Sequence, residues 1–91
     1  MTASSGLTVG IDIGGTFIKC GLVRDGKLLS SDRLNTPSRS TPSVLTDLIV
    51  RQVGLLRSGT RSSLQGVGIG IPGLVEYPEG IVRSCVNLTG W

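Results

Sequence analysis

Ninety-one residues can form one small domain at most, and 38% hydrophobic content with a mean hydropathy of +0.26 marks a folding chain, not a disordered one. The net charge of +3 comes from nine Lys and Arg against six Asp and Glu, with no basic run and only 3% aromatics, so no nucleic-acid surface is expected. There is no His and no Cys-x-x-Cys spacing for zinc, no apolar run of membrane length and no leader pattern in the polar start, so a cytoplasmic protein with free thiols at Cys20 and Cys85 is expected, without a membrane partner.

Residues 1–6 read as a disordered tail, and 7–91 as the folded part. Leu7, Val9, Ile11 and Ile13 alternate with Thr8, Gly10 and Asp12, which predicts a strand over 7–13. Gly14-Gly15 breaks the alternation, and a second strand follows over 17–23. The turn between them puts a carboxylate, Asp12, on the outgoing strand and a hydroxyl, Thr16, at the return. Two adjacent glycines can leave backbone N–H groups facing one concavity with no side chain in the way of an anion. On residue types alone the stretch fits either a phosphate-binding turn or an ordinary Gly-Gly hairpin beside a solvated Asp. It is not a P-loop, since no Gly-Lys-Ser/Thr ending follows. Nor is it a dinucleotide fingerprint, since a strand and not a helix comes after Thr16.

Arg24-Asp25-Gly26-Lys27 predicts a type I′ hairpin turn leading to a third strand over 27–36, and so an antiparallel meander. Residues 37–43 form a loop. Thr41 can cap a helix with Pro42 in its first position, and Leu45, Leu48, Ile49 and Leu56 fall near one face. Asp47 early and Arg51 and Arg57 later suit the helix dipole, and Ser58-Gly59 ends the helix. In Gly66-Val67-Gly68-Ile69-Gly70-Ile71-Pro72-Gly73, branched residues alternate with glycines. A strand reached through a helix runs parallel to a meander strand, and Gly66 and Gly68 fit close packing of a helix on the sheet. Pro72-Gly73 ends that strand where ligands of α/β sheets gather. A short hairpin follows, with Glu76 and Glu79 solvated on its turn.

The β-β-β-α-β order with Asp-x-Gly-Gly-Thr between the first two strands resembles the N-terminal lobe of the actin-like, ribonuclease-H-like ATPase fold. Within that α/β fold the chain is similar to the ROK (repressor, ORF, kinase) family, and to bacterial glucokinases among its members. Three blocks carry the likeness: residues 9–16, residues 67–73, and Asn87-Leu88-Thr89-Gly90-Trp91.

The resemblance implies part of an ATP-dependent kinase acting on a hexose or N-acetylhexosamine. Gly14, Gly15 and Thr16 would contact the ATP phosphates, and Asp12 would help hold Mg²⁺. Gly73, with Leu74, would lie on the sugar side, and Asn87 near the sugar cleft. Many members place Lys directly after the Thr; Phe17 stands there instead, and Lys19 is not expected to touch phosphate. The family's catalytic Asp, the Cys/His motif for structural Zn²⁺ and the second lobe all belong further downstream. None of Asp25, Asp32 and Asp47 is placed to substitute for the base. No catalytic residue is therefore expected in this chain, and no activity from it alone, while a homo-oligomer is implied only for a full-length parent. A transcriptional regulator lacking its helix-turn-helix, or a non-catalytic sugar- or nucleotide-binding module, are the competing readings.

Overall fold

The computed structural model describes residues 6–60 and 62–91, so the expected tail at 1–6, apart from Gly6, lies outside the described residues. The alternation in the first stretch becomes β1 (Leu7–Ile13), whose Leu7, Val9, Ile11 and Ile13 are buried while Thr8, Gly10 and Asp12 are exposed. It pairs antiparallel with β2 (Phe17–Arg24), which pairs antiparallel with β3 (Lys27–Asn35). Asp25 and Gly26 both take positive φ, 53° and 76°, as a type I′ turn requires. β4 (Leu64–Gly70) joins β1 in parallel, giving the order β3-β2-β1-β4. β4 begins two residues before the alternating glycines, because Leu64 continues the pairing opposite Leu7 across a register shift.

The crossover is α1 (Pro42–Arg57), the expected packing helix. Thr41 accepts a hydrogen bond from the Val44 N–H at 3.4 Å, and Pro42 occupies the first turn. Such a cap contributes about 1 kcal/mol, whereas burying one Leu contributes roughly 1.5–3 kcal/mol. Packing therefore dominates: Leu45 is fully buried, and Leu48, Ile49, Val53 and Leu56 flank it against the sheet. Asp47 lies in the second turn and the first turn holds no acid, so the favourable dipole contribution comes from Arg57 alone. Gln52 is buried and donates to Asp32 Oδ2 at 3.2 Å, tying the helix to β3.

α1 covers the face bearing Val9, Ile11, Ile18, Cys20 and Leu22. The glycines of β4 point the other way, paired with Thr8, Gly10 and Asp12, and a Cβ on Gly66 or Gly68 would meet nothing within 4 Å. This corrects the expectation of helix packing at those glycines: α1 lies on the other side of the sheet, against β2 and β3, and leaves Val67 and Ile69 of β4 exposed. In the same register Gly21, Gly10 and Gly68 stand side by side on the open face.

β5 (Gly73–Glu76) and β6 (Ile81–Cys85) form a separate two-stranded hairpin, with Arg83 and Glu76 paired across it at 2.9 Å. After it, residues 86–91 return to the main sheet. Leu88 enters the core, Trp91 packs beside it, and Val86 N–H donates to Pro72 O at 2.7 Å.

Candidate functional site

The turn after β1 closes with Gly14 N–H donating to Phe17 O at 2.9 Å. Neither glycine uses positive φ; both are required for space. A Cβ on Gly14 would lie 2.9 Å from Phe17 O, and one on Gly15 would lie 2.8 Å from Asn87 Cβ. Thr36, just past β3, braces the turn from outside. Its N–H donates to Thr16 O at 2.9 Å and its hydroxyl to Gly14 O at 2.6 Å. With two carbonyls so occupied, the N–H groups of Gly15 and Thr16 donate to no protein acceptor among the described residues, and both residues are exposed. The Thr16 hydroxyl is unengaged in the same sense. Such a concavity of free donors suits an oxyanion.

Asn87 adopts φ 66°, a left-handed conformation that Asn tolerates, which lets Leu88 turn inward while Asn87 lies against Gly15. The segment is fastened to the loop before α1: buried Ser40 donates its N–H to Thr89 O at 2.6 Å and its hydroxyl to Pro37 O at 2.7 Å. Gly90, at φ 92°, lets the chain pass close to Thr41. The result is an open cleft of about 570 Å³ lined by Gly15, Thr16, Asn87, Leu88 and Thr89. Two stretches more than seventy positions apart thus share one cleft. Thr36, Ser40, Leu88 and Thr89 were not singled out from sequence; the one available signal was Leu88-Thr89 within the block that begins at Asn87.

Gly73 and Leu74 do not line this cleft. They pair with Cys85 and Ser84, and Leu74 is exposed. A Cβ on Gly73 would collide with the Ser84 carbonyl oxygen, so hairpin packing by itself accounts for this glycine.

Asp12 ends β1 on the open face, between Gly70 on β4 and Lys19 on β2. Its carboxylate makes no ion pair or hydrogen bond among the described residues. No three His, Cys, Asp or Glu side chains gather there or elsewhere among those residues. Asp12 and Gly14 are not among the residues lining the cleft; one free carboxylate three positions before Gly15 is compatible with Mg²⁺, which keeps most of its waters and takes one or two carboxylates plus phosphate oxygens. It does not fit Zn²⁺, which needs three or four protein ligands. The remaining carboxylates are placed elsewhere: Asp25 in the far turn, Asp32 against Gln52, Asp47 on α1, Glu76 with Arg83, and Glu79 exposed on the turn between β5 and β6. Cys20, buried in β2, and Cys85 are both unpaired thiols. Burial foremost, then the nearby negative charge of Asp32, pushes the Cys20 thiol up, against a smaller lowering by a Gln52 hydrogen bond; burial pushes Cys85 up. No helix among the described residues is long and apolar enough to cross a membrane.

Residues 8–91 match the ROK family. A glucokinase of Streptomyces coelicolor is 38% identical over 84 residues, spanning 91% of this chain and 25% of the relative. Among solved structures, a ROK family glucokinase from Streptomyces griseus, in complex with glucose and AMPPNP, superposes with a TM-score of 0.77 at 36% identity, over 91% of this chain and 26% of that one. An inorganic polyphosphate/ATP-glucomannokinase from an Arthrobacter strain gives 0.76 at 34% identity, over 91% and 34%. The chain therefore spans about a quarter of the length of the first two relatives. The likenesses bear out the expected α/β fold, the first part of an actin-like ATPase lobe.

Proposed function

The chain belongs to the ROK family, and from that premise we propose that it is the N-terminal part of an ATP-dependent hexose kinase of the glucokinase type, a cytoplasmic enzyme that transfers the γ-phosphoryl group of ATP to a sugar hydroxyl. The observation that carries this reading is the shared cleft: phosphoryl transfer needs the phosphate and the accepting hydroxyl side by side, and Gly15-Thr16 and Asn87-Thr89 line the same space. The glucokinase relatives, one of them solved with glucose and AMPPNP, support the same choice of substrates.

In this reading Gly14, Gly15 and Thr16 cradle the phosphates through backbone N–H groups and the Thr16 hydroxyl, as preorganised donors do wherever negative charge must be held. Asp12 orients the waters of a Mg²⁺ carried in with the nucleotide. Bound there, the ion neutralises charge on the phosphate oxygens. Asn87 offers an amide to the sugar. Gly73 and Leu74 act on the sugar side indirectly, by fixing the hairpin that delivers Asn87 to the cleft. Asp12 serves the ion in this reading, and no carboxylate lines the cleft beside Asn87 to take the hydroxyl proton, so the 91-residue chain binds but does not turn over.

The test is to titrate the chain with Mg·ATP and with glucose while following backbone amide resonances, alongside a coupled assay for glucose phosphorylation. Shifts at Gly15 and Thr16 with ATP, shifts at Asn87 with glucose, and no turnover are expected. Glucose-dependent turnover would overturn the assigned lack of a base. Silence of Gly15 and Thr16 towards ATP would overturn the kinase reading of the turn.

A further inference from the structure

The pairing registers set Arg33, Lys19, Asp12 and Gly70 in one row across β3, β2, β1 and β4, on the face away from α1. Lys19 and Arg33 thus stand directly opposite each other, a like-charge arrangement that by itself destabilises a sheet. Neither forms an ion pair among the described residues, where the one ion pair joins Arg83 to Glu76. Asp32, next to Arg33 in sequence, does not neutralise it. That carboxylate accepts from the Arg33 backbone N–H at 2.8 Å and from Gln52 of α1 on the opposite face. The Arg33 guanidinium lies instead over the Phe17 ring, its carbon 4.3 Å from the ring centre. Such a stack restrains a long side chain through its flat face and leaves the N–H edge available for oxygens. Phe17 directly follows Thr16, so the stacked guanidinium is tied to the residue on which the chain leaves the turn.

We propose that Arg33, held on Phe17, is a phosphate-binding residue whose guanidinium takes oxygens of a polyphosphate chain, either a nucleotide's or a free one, with Lys19 adding positive potential along the row. The proposal rests on the turn over residues 14–16 being a phosphate site and extends that site from backbone amides to a charged side chain on the third strand. An anion between the two cations relieves their repulsion, which supplies a physical reason for their juxtaposition. Arg suits this position better than Lys, because its planar fork meets two oxygens at once while its face remains stacked.

The experiment measures binding of Mg·ATP, inorganic tripolyphosphate and adenosine to the full chain by calorimetry, with the amide resonances of Gly15 and Thr16 as a local readout. Arg33→Gln is expected to weaken both phosphate compounds about tenfold, the scale of losing a charge-assisted bidentate contact, and to leave adenosine unchanged. Phe17→Leu, which keeps every charge and loses the stack, is expected to weaken them about threefold. Arg51→Gln, on the exposed side of α1, should change nothing. Tighter binding of ATP than of tripolyphosphate identifies the nucleotide as the source of the chain, the reverse order a free polyphosphate, and either order supports the proposal. Arg33→Gln binding as tightly as the unaltered chain while Thr16→Val loses binding would overturn the role of Arg33 and leave the turn intact. An equal loss in Arg51→Gln would reduce the effect to net charge and overturn the proposal. Absence of phosphate binding by the unaltered chain would overturn both the turn and Arg33.

Discussion

Asn87 lies so close to Gly15 that a methyl group on the glycine would sit 2.8 Å from the Asn87 Cβ and 3.0 Å from its carbonyl oxygen. The backbone of one block is thus the wall of the other. Gly15→Ala is expected to push residues 86–89 away, loosen Leu88 from the core and cost about 1–3 kcal/mol, as overpacking does. Thermal melting reads the stability loss. Amide shifts at Asn87 and Thr89, remote in sequence, report the displacement, and their silence would refute the contact.

Thr36 holds the turn through two bonds, of which a substitution can remove one. Thr36→Val keeps the shape and the backbone bond to Thr16 but deletes the hydroxyl bond to Gly14 O. The expected loss is about 0.5–1.5 kcal/mol of local stability. Hydrogen exchange should quicken at residues 14–17 and stay unchanged in α1, with weaker ATP binding in parallel.

Asp12→Asn tests the metal assignment. The carboxylate supports no other described contact, so the fold should melt at an unchanged temperature. Mg²⁺ affinity in the ternary complex with ATP should fall roughly 10–100-fold, the usual effect of losing a group that orients metal-bound water. Binding of ATP without Mg²⁺ should persist. If Mg²⁺ strengthens ATP binding equally in both proteins, Asp12 does not serve the ion.

The raised Cys20 thiol makes stability fall with alkaline pH. The unfolded thiol ionises near its ordinary value of 9.0, while burial, chiefly, and the charge of Asp32 keep the folded thiol protonated. Between those two values the unfolded state loses its proton first, so stability is undiminished below about pH 9 and declines as pH rises above it. Cys20→Ala should flatten that alkaline decline relative to the unaltered chain, after allowance for its own packing loss. Melting temperatures measured across the alkaline range check it. A decline of the same slope in the variant would remove Cys20 as its source.

The strands and the helix were legible in the sequence because their signals are local. Period-two alternation marks Leu7–Ile13, Asp25-Gly26 demands a primed turn, and Thr41-Pro42 opens a helix. Leu64-Gln65 carries no alternation, and the start of β4 is set instead by pairing with β1. The glycine turn could be located, but the reason for its glycines could not. From sequence, Gly14 and Gly15 clear the way for an anion or make an ordinary hairpin; in the fold they also make room for Phe17 O and Asn87, and the second of these partners is fixed only by the fold. Thr36 reads as the last residue of the third strand, which in fact ends at Asn35, and Ser40 as an ordinary loop residue, because what distinguishes them is hydrogen bonds to residues far along the chain. Arg33 stands out only once the register sets it opposite Lys19 and over Phe17.

Gly21, Gly10 and Gly68 lie abreast on three adjoining strands. Each glycine inside a strand costs roughly 0.5–1 kcal/mol of extra chain freedom surrendered on folding, relative to alanine. On that face no side chains from these positions interlock to return it. A Cβ at Gly10 or Gly68 would meet nothing within 4 Å among the described residues, whereas one at Gly21 would press on Leu28, so alanine fits at the first two positions and is expected to recover that cost there.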